Sequence, residues 1–123
     1  MATLTPTLTL ASTDISATDA LNLSVTDSLA IAGGAINFQV ATSSTGTVFA
    51  AAANYSKSYV FLKNLATDAS HIYTIEKADG GDEYLTLGAG EWAFFPWAAA
   101  VDLAVDAAAG TSALEVRIYQ AAS

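Results

Sequence analysis

The chain has 123 residues, no cysteine, one histidine and a formal charge of −8 that results from 12 acidic and 4 basic residues. A length of this size predicts one domain with one core. The scattered basic residues argue against binding to a nucleic-acid backbone, which requires clustered lysine and arginine, and the lack of cysteine excludes disulfides and thiolate chemistry. A hydrophobic fraction of 53% indicates that a partner covers some of the surface.

The N-terminal region alternates leucine with threonine. Leu4, Leu8 and Leu10 stand two or four residues apart, which is typical of an extended strand. We interpret residues 1–14 as an extended N-terminal arm and residues 15–123 as one β-sandwich domain. From Leu21 to Ile31 large apolar residues occupy every second position, and only Asp27 interrupts this series. The interruption predicts a bend or bulge at that residue.

The next segment, Ser28 to Ser56, is uncharged. Its polar residues and glycines favour strands and turns over a membrane span. Gly33-Gly34 predicts a hairpin turn whose return strand carries Ile36, Phe38 and Val40. The first basic residue is Lys57, so the sequence shows no positively charged start of a secretion signal.

The rest of the chain predicts further short strands. Residues 97–109 fit either a strand or a helix, and the strand is favoured because Asp102 and Asp106 would repel each other on one helix face. The last strand, Leu114 to Tyr119, has the clearest alternation. Together the segments give about eight to ten short strands, which predicts an all-β fold, an antiparallel β-sandwich of the jelly-roll kind or a small barrel.

Few residues offer chemistry. His71 is the one plausible general base, but Ser70 beside it would point to the other face of a strand, so the two form no dyad. Asp79, Asp82 and Glu83 surround two glycines and resemble oxygen ligands for calcium, yet a solvated turn explains them equally well. We therefore expect no catalytic residue, no metal and no cofactor.

Aromatic residues cluster between Tyr84 and Trp97. Because neighbouring strand residues point to opposite faces, Trp92 and Phe94 share one face and Phe95 points to the other. One of these faces should be core, and we expect Phe95 or Trp97 to be exposed. Aromatic side chains are enriched where proteins meet. The residues expected to form an interface with a partner are Leu4, Leu8, Leu10, Trp92, Phe95 and Trp97.

The second half of the chain resembles a known family. It contains a strand that ends in Lys63-Asn64, a Leu-x-x-Gly-Glu turn at residues 87–91 and a final alternating strand at residues 114–118. This succession resembles small β-sandwich structural proteins of tailed bacteriophage virions, above all the capsid decoration (cement) proteins.

The resemblance implies a protein without an active site on the capsid exterior of the virion, made in the host cytoplasm. Its partners would be the major capsid protein and its own copies, in a homotrimer or homodimer, and neither nucleic acid nor membrane. An arm such as residues 1–14 would add a strand to a neighbour and become ordered on assembly.

Three other functions fit the sequence. One is a phage tail or head-fibre subunit. Another is a carbohydrate-binding module that stacks sugars on Trp92 or Trp97. The third is an enzyme that uses His71, which the sequence favours least.

Overall fold

The computed structural model describes residues 2–14, 20–32, 36–41, 46–77, 82–107 and 113–122. Within them the chain forms twelve β-strands and one short 3₁₀ turn at Ala52–Asn54. The strands are β1 (Ala2–Leu4), β2 (Thr7–Ser12), β3 (Leu21–Thr26), β4 (Leu29–Ile31), β5 (Ile36–Ala41), β6 (Thr47–Ala50), β7 (Ser58–Asn64), β8 (Tyr73–Lys77), β9 (Glu83–Leu87), β10 (Trp92–Trp97), β11 (Leu103–Ala107) and β12 (Ala113–Gln120).

Strands β5 to β12 form two antiparallel sheets of four. The first sheet has the order β10-β7-β12-β5 and the second has the order β6-β11-β8-β9. The pairs β8–β9, β7–β10, β6–β11 and β5–β12 are nested in sequence, as in one long hairpin that is rolled up. This order is that of a jelly roll, and it confirms the predicted all-β sandwich. The strands beyond the predicted eight to ten come from β1 to β4.

The core lies between the two sheets. On the first sheet β7 contributes Val60 and Leu62, and β12 contributes Leu114, Val116 and Ile118; all five are buried. The second sheet contributes Tyr73, Ile75, Leu103 and Val105 among its buried residues. The two-residue period of a strand explains this arrangement, because alternate residues of each strand face the opposing sheet.

The predicted hairpin at Gly33-Gly34 is wrong. The two glycines lie outside the described residues, but the strands on either side pair elsewhere: β4 pairs with β1, and β5 pairs with β12. Ile31 bridges Ala121 in antiparallel orientation, just beyond the end of β12. Segments β4 and β5 therefore follow each other along β12 in one direction. Both segments are strands as predicted, but alternation does not specify the pairing partner, and Ile36, expected on the inner face, is 42% exposed.

The break at Asp27 is confirmed. Strand β3 ends at Thr26, and β4 begins at Leu29. Between them the Asp27 carboxylate accepts a hydrogen bond from the Ser28 amide at 2.7 Å, and the Asp27 amide donates to the Pro6 carbonyl at 3.1 Å. A local side chain to backbone bond of this kind competes with the sheet ladder and ends the strand.

The ambiguous segment after Trp97 contains a strand, β11, over Leu103–Ala107. Asp102 lies just before it and accepts a hydrogen bond from the Ala52 amide at 2.7 Å. Residues 28–56 contain strands and a 3₁₀ turn, as predicted. In the part of the chain that the structure describes, no helix is long and apolar enough to cross a membrane.

The end of β7 is held by a buried asparagine. The Asn64 side-chain amide donates to the carbonyls of His71 and Leu87 at 2.9 and 3.0 Å, and its oxygen accepts from the Ala66 amide at 3.0 Å. The Asn64 carbonyl accepts from the amide of Gly90. Gly90 has φ +78°, a conformation that glycine adopts without strain. Asn64 thus connects two loops, β7–β8 and β9–β10, at one end of the sandwich.

We expect Asn64→Ala to lower the free energy of unfolding by about 2–4 kcal/mol, because buried carbonyls and an amide lose their partners. Urea unfolding followed by circular dichroism measures the change. Asn54→Ala, at an exposed position, is the control and should change stability by less than about 0.5 kcal/mol. Equal stability of the two variants would contradict the structural role of Asn64.

Candidate functional site

The outer face of the first sheet carries the candidate site. On β7 the residues that alternate with the buried Val60 and Leu62 are Tyr59, Phe61 and Lys63. The register of β10 places Pro96, Phe94 and Trp92 directly opposite these three residues. Directly opposite residues of antiparallel strands point to the same face. Two rows of mostly aromatic side chains therefore lie side by side, away from the core. We call this surface the aromatic face.

The rings on the aromatic face contact each other across the strands. The ring centroids of Tyr59 and Phe94 lie 6.3 Å apart with the planes nearly parallel, at 16°. The centroids of Phe61 and Trp92 also lie 6.3 Å apart, at 30°. Trp92 keeps 53% of its surface exposed. Such pairs fix ring orientations and present a rigid apolar surface.

Three of the four basic residues of the chain lie on or beside this face. Lys57 Nζ lies 5.8 Å from the centre of the Tyr59 ring. Lys63 lies between Trp92 and Glu115 in the strand register. Arg117 Nε and Nη2 donate to Glu115 Oε2 at 3.0 and 2.8 Å, and these bonds raise the pKa of Arg117 above its usual value. Three of the four basic residues thus lie at the aromatic face, where the ion pair with Glu115 compensates the charge of Arg117.

The N-terminal strands β2 and β3 form a two-stranded ribbon next to the aromatic face. One side of the ribbon is apolar, because Leu8 pairs with Val25 and Leu10 with Leu23, and Leu21 follows opposite Ser12. The other side carries Thr7, Thr9, Ala11 and their partners Thr26, Ser24 and Asn22. All five apolar residues of the first side are exposed, between 36% and 51%.

A groove runs between the base of the ribbon and the aromatic face. Its volume is about 530 Å³. The residues that line it are mainly apolar: Leu8, Val25, Tyr59, Phe61, Trp92 and Phe94. Thr7 and Asp27 supply polar groups at its wall. A shallower depression beside it is lined by Leu4, Pro6 and Arg117, among others. The groove is suited to apolar side chains that project from a partner.

Four of the six predicted interface residues lie in this region. Leu4 lines the depression, Leu8 and Trp92 line the groove, and Leu10 continues the apolar side of the ribbon. The ribbon also shows that residues 1–14 do not extend alone: β1 and β2 are paired with β4 and β3 within the single chain. The division of the chain at residue 14 into arm and domain stays a prediction.

Phe95 and Trp97 lie on the other side of β10, so the expected assignment of faces on this strand is wrong. Phe95 is half-buried and packs against the core, and Trp97 is 6% exposed. The Trp97 indole Nε1 donates to the Val101 carbonyl at 3.1 Å, and its ring lies 5.6 Å from that of Tyr55. The reason is the register: Phe95 is opposite the buried Val60, and Trp97 is opposite the buried Ser58.

Sequence reasoning missed Tyr59, Phe61 and Phe94 on the aromatic face, and Val25 and Leu23 on the ribbon. A signal for the first two was present. In the segment from Ser58 to Asn64, aliphatic residues alternate with Tyr59, Phe61 and Lys63. Because lysine is almost never fully buried without a partner, the residues on the same side of the strand as Lys63 are expected to form the outer face.

The histidine site does not have the geometry of a nucleophilic site. His71 lies in the loop before β8 rather than on a strand edge, with Nε2 3.9 Å from Asp68 Oδ2. The hydroxyl of Ser70 donates to Asp68 Oδ1 at 2.9 Å, as does the Ser70 amide. These bonds from Ser70 lower the pKa of Asp68. A nucleophilic serine would instead donate to the histidine.

Of the predicted calcium ligands, Asp79 lies outside the described residues, and Asp82 and Glu83 are exposed. Glu76 is buried on β8 opposite Glu83. Among the residues that the structure describes, no group of three or more histidine or acidic side chains could hold a metal ion.

Comparison of the chain with protein-family models, curated proteins and solved structures finds no match. The aromatic face and the ribbon are therefore the features from which a function is inferred.

Exchanging each tryptophan for phenylalanine tests these placements, since the chain has only two. We expect Trp97→Phe to lower the free energy of unfolding by about 1–3 kcal/mol, because a buried ring shrinks and the Val101 carbonyl loses its donor. The matched change Trp92→Phe should cost less than about 0.5 kcal/mol.

The single tryptophan left in each variant gives a second measurement. Acrylamide should quench Trp92 in the Trp97→Phe variant strongly and Trp97 in the Trp92→Phe variant weakly. The reverse order of quenching would show that the two faces of β10 are assigned incorrectly.

Proposed function

We propose that this chain is a non-enzymatic structural protein of a bacteriophage virion, a decoration protein that binds the outer surface of the major capsid protein shell and stabilises it. The observation that carries this proposal is the continuous apolar surface formed by the aromatic face and the ribbon on a rigid jelly roll. The resemblance of residues 59–119 to capsid decoration proteins names the partner.

The exposed apolar residues support a binding role. Of the ten large hydrophobic side chains that are exposed among the described residues, six lie on the ribbon or on the aromatic face, and the most exposed of them is Trp92 at 53%. A contiguous apolar patch on a soluble domain marks a site that another surface covers. Tryptophan in such a patch is typical of residues that dominate binding energy.

The charge distribution supports a position on the outside of a shell. A formal charge of −8 opposes contact with packaged DNA. Lys57, Lys63 and Arg117 lie on or beside the aromatic face, so three of the four basic residues of the chain are on this side, together with Glu115 and Asp27. We therefore assign the contact with the shell to this side of the first sheet.

A carbohydrate-binding function is the second candidate, and the exposed Trp92 beside Phe61 is the observation that favours it. Trp97 drops out of that function, since it is buried. Sugar sites combine an aromatic platform with several polar groups, whereas the groove offers mainly apolar side chains. A role in the tail or a head fibre would use the same surfaces, and cryo-electron microscopy of particles would distinguish it by location.

The test of the proposal is binding to capsid shells that are assembled from the major capsid protein of the phage that encodes this chain. We expect the purified protein to sediment with the shells at a saturable ratio and to raise their melting temperature. Trp92→Ser should weaken this binding at least about tenfold, the effect of losing roughly 1.4 kcal/mol at an interface anchor.

Tyr84→Ser is the matched control. Tyr84 is 49% exposed, similar to Trp92, but it lies on β9 in the second sheet. Its replacement should leave binding unchanged. If the wild-type protein does not sediment with shells, or if a glycan panel quenches Trp92 fluorescence, decoration is the wrong function.

A further inference from the structure

A buried carboxylate on the second sheet lacks a compensating partner among the described residues. Glu76, on β8, is only 6% exposed, and its Oε1 atom is buried without a hydrogen-bond donor from the part of the chain that the structure describes. Its neighbours in the strand register are Glu83 on β9 and Ala104 on β11. An ionised glutamate and an alanine side chain donate no hydrogen bond. A carboxylate in such a place is costly unless a positive charge compensates it.

A bulge in the β8–β9 ladder creates this pair of carboxylates. The register shifts by one residue between Ile75 and Glu76, so that Tyr84 is an extra residue on β9. In a regular ladder Glu83 would lie opposite Lys77, but the shift places it opposite Glu76. Like charges directly opposite each other on neighbouring strands are destabilising. Bulges redirect side chains next to functional sites, and this one replaces an attractive pair of charges by a repulsive pair.

Both carboxylates lie on the outer face of the second sheet. Ile75, the residue before Glu76, is fully buried in the core, and neighbouring strand residues point to opposite faces. Directly opposite residues share a face and have Cβ atoms about 4.5–5.5 Å apart, so Glu83 lies on the same face as Glu76. Glu83 is exposed, and the pair can therefore be reached from solvent on the side of β9.

The chemistry of the pair favours a small, hard cation as the compensating charge. A basic side chain of another protein cannot reach Glu76 Oε1, because the chain itself covers this atom. A small ion that enters beside the exposed Glu83 can lie between the two carboxylates. Calcium takes about six to eight oxygen ligands in flexible geometry, including water and main-chain carbonyls, whereas magnesium requires a nearly regular octahedron. Calcium therefore suits an irregular site with two carboxylates.

We propose that Glu76 and Glu83 together bind one calcium ion, which bridges β8 and β9 on the outer face of the second sheet. The other ligands are water and main-chain oxygens, since no group of three acidic or histidine side chains among the described residues could hold a metal ion. The sequence analysis considered calcium at Asp79, Asp82 and Glu83; this site keeps only Glu83 and adds the buried Glu76. The site is independent of the capsid contact, which we assign to the first sheet.

The first experiment measures urea unfolding of the wild-type chain in EDTA and in about 10 mM CaCl₂. For a dissociation constant of about 1 mM, typical of weak calcium sites, this concentration should raise the folding equilibrium constant about tenfold. About 30 mM NaCl has the same ionic strength and should have a much smaller effect, because it only screens charges.

Variants locate the site. Glu76→Gln and Glu83→Gln should each lose the response to calcium, and Glu83→Gln in EDTA should be at least as stable as the wild type, because the repulsion is removed. The matched control is Asp82→Asn, which removes one negative charge next to the pair and should keep the response. In a calcium titration of the wild type followed by NMR, the amide signals of Glu76, Glu83 and Ala104 should shift to saturation.

A wild-type chain that responds to calcium no more than to sodium would overturn the inference, as would an unchanged response in Glu83→Gln. Loss of the response in Asp82→Asn would also overturn it, because the ion would then lie at the turn. Stabilisation by acid without any response to calcium would show that the pair shares a proton instead of a metal ion. Each of these results leaves the capsid test unaffected.

Discussion

The alternation of β7 is the constraint on which both the core and the candidate site depend. The strand lies between β10 and β12, and from Ser58 to Asn64 every second residue is buried. Val60 and Leu62 are fully buried, while Tyr59, Phe61 and Lys63 form the middle of the aromatic face. A slip of one residue would place every side chain on the wrong side of the sheet. Packing of the core therefore also holds the aromatic face in place.

The sequence was informative wherever one face of a strand is polar. The last strand, β12, alternates buried apolar residues with Glu115 and Arg117, and its position and orientation were predicted correctly. The break at Asp27 was predicted for the same reason, since a charged residue interrupts an apolar phase. In both cases the local pattern contains the information that decides the structure.

Sequence-based prediction was wrong where a neighbouring strand determines the buried face or the pairing partner of a strand. Both faces of β10 carry aromatic residues, so the pattern does not show whether Phe94 or Phe95 faces the core. The pairing with β7 determines this, because Phe95 is opposite the buried Val60 and Phe94 is opposite Phe61. The Gly33-Gly34 prediction failed because β4 and β5 both align with β12 rather than with each other. The groove depends both on which face of β10 points outward and on how the N-terminal strands pair. The sequence therefore predicted only part of it.

Several polar groups of the described residues hold the fold through hydrogen bonds. Asn64 joins two loops, the Trp97 indole donates to the Val101 carbonyl, and Asp68 accepts two bonds from Ser70. The groove instead offers aromatic area with cations at its rim. Area of this kind supplies affinity, while rim charges influence mainly the rate and orientation of encounter.

In a protein of net charge −8, copies repel one another at long range, and salt reduces that repulsion within a distance of about 10 Å at 0.1 M. Lys57, Lys63 and Arg117 lie on or beside the aromatic face, and Glu115 on the same face compensates the charge of Arg117. Since three of the four basic residues of the chain lie there, the repulsion between this face and another acidic surface is reduced at short range.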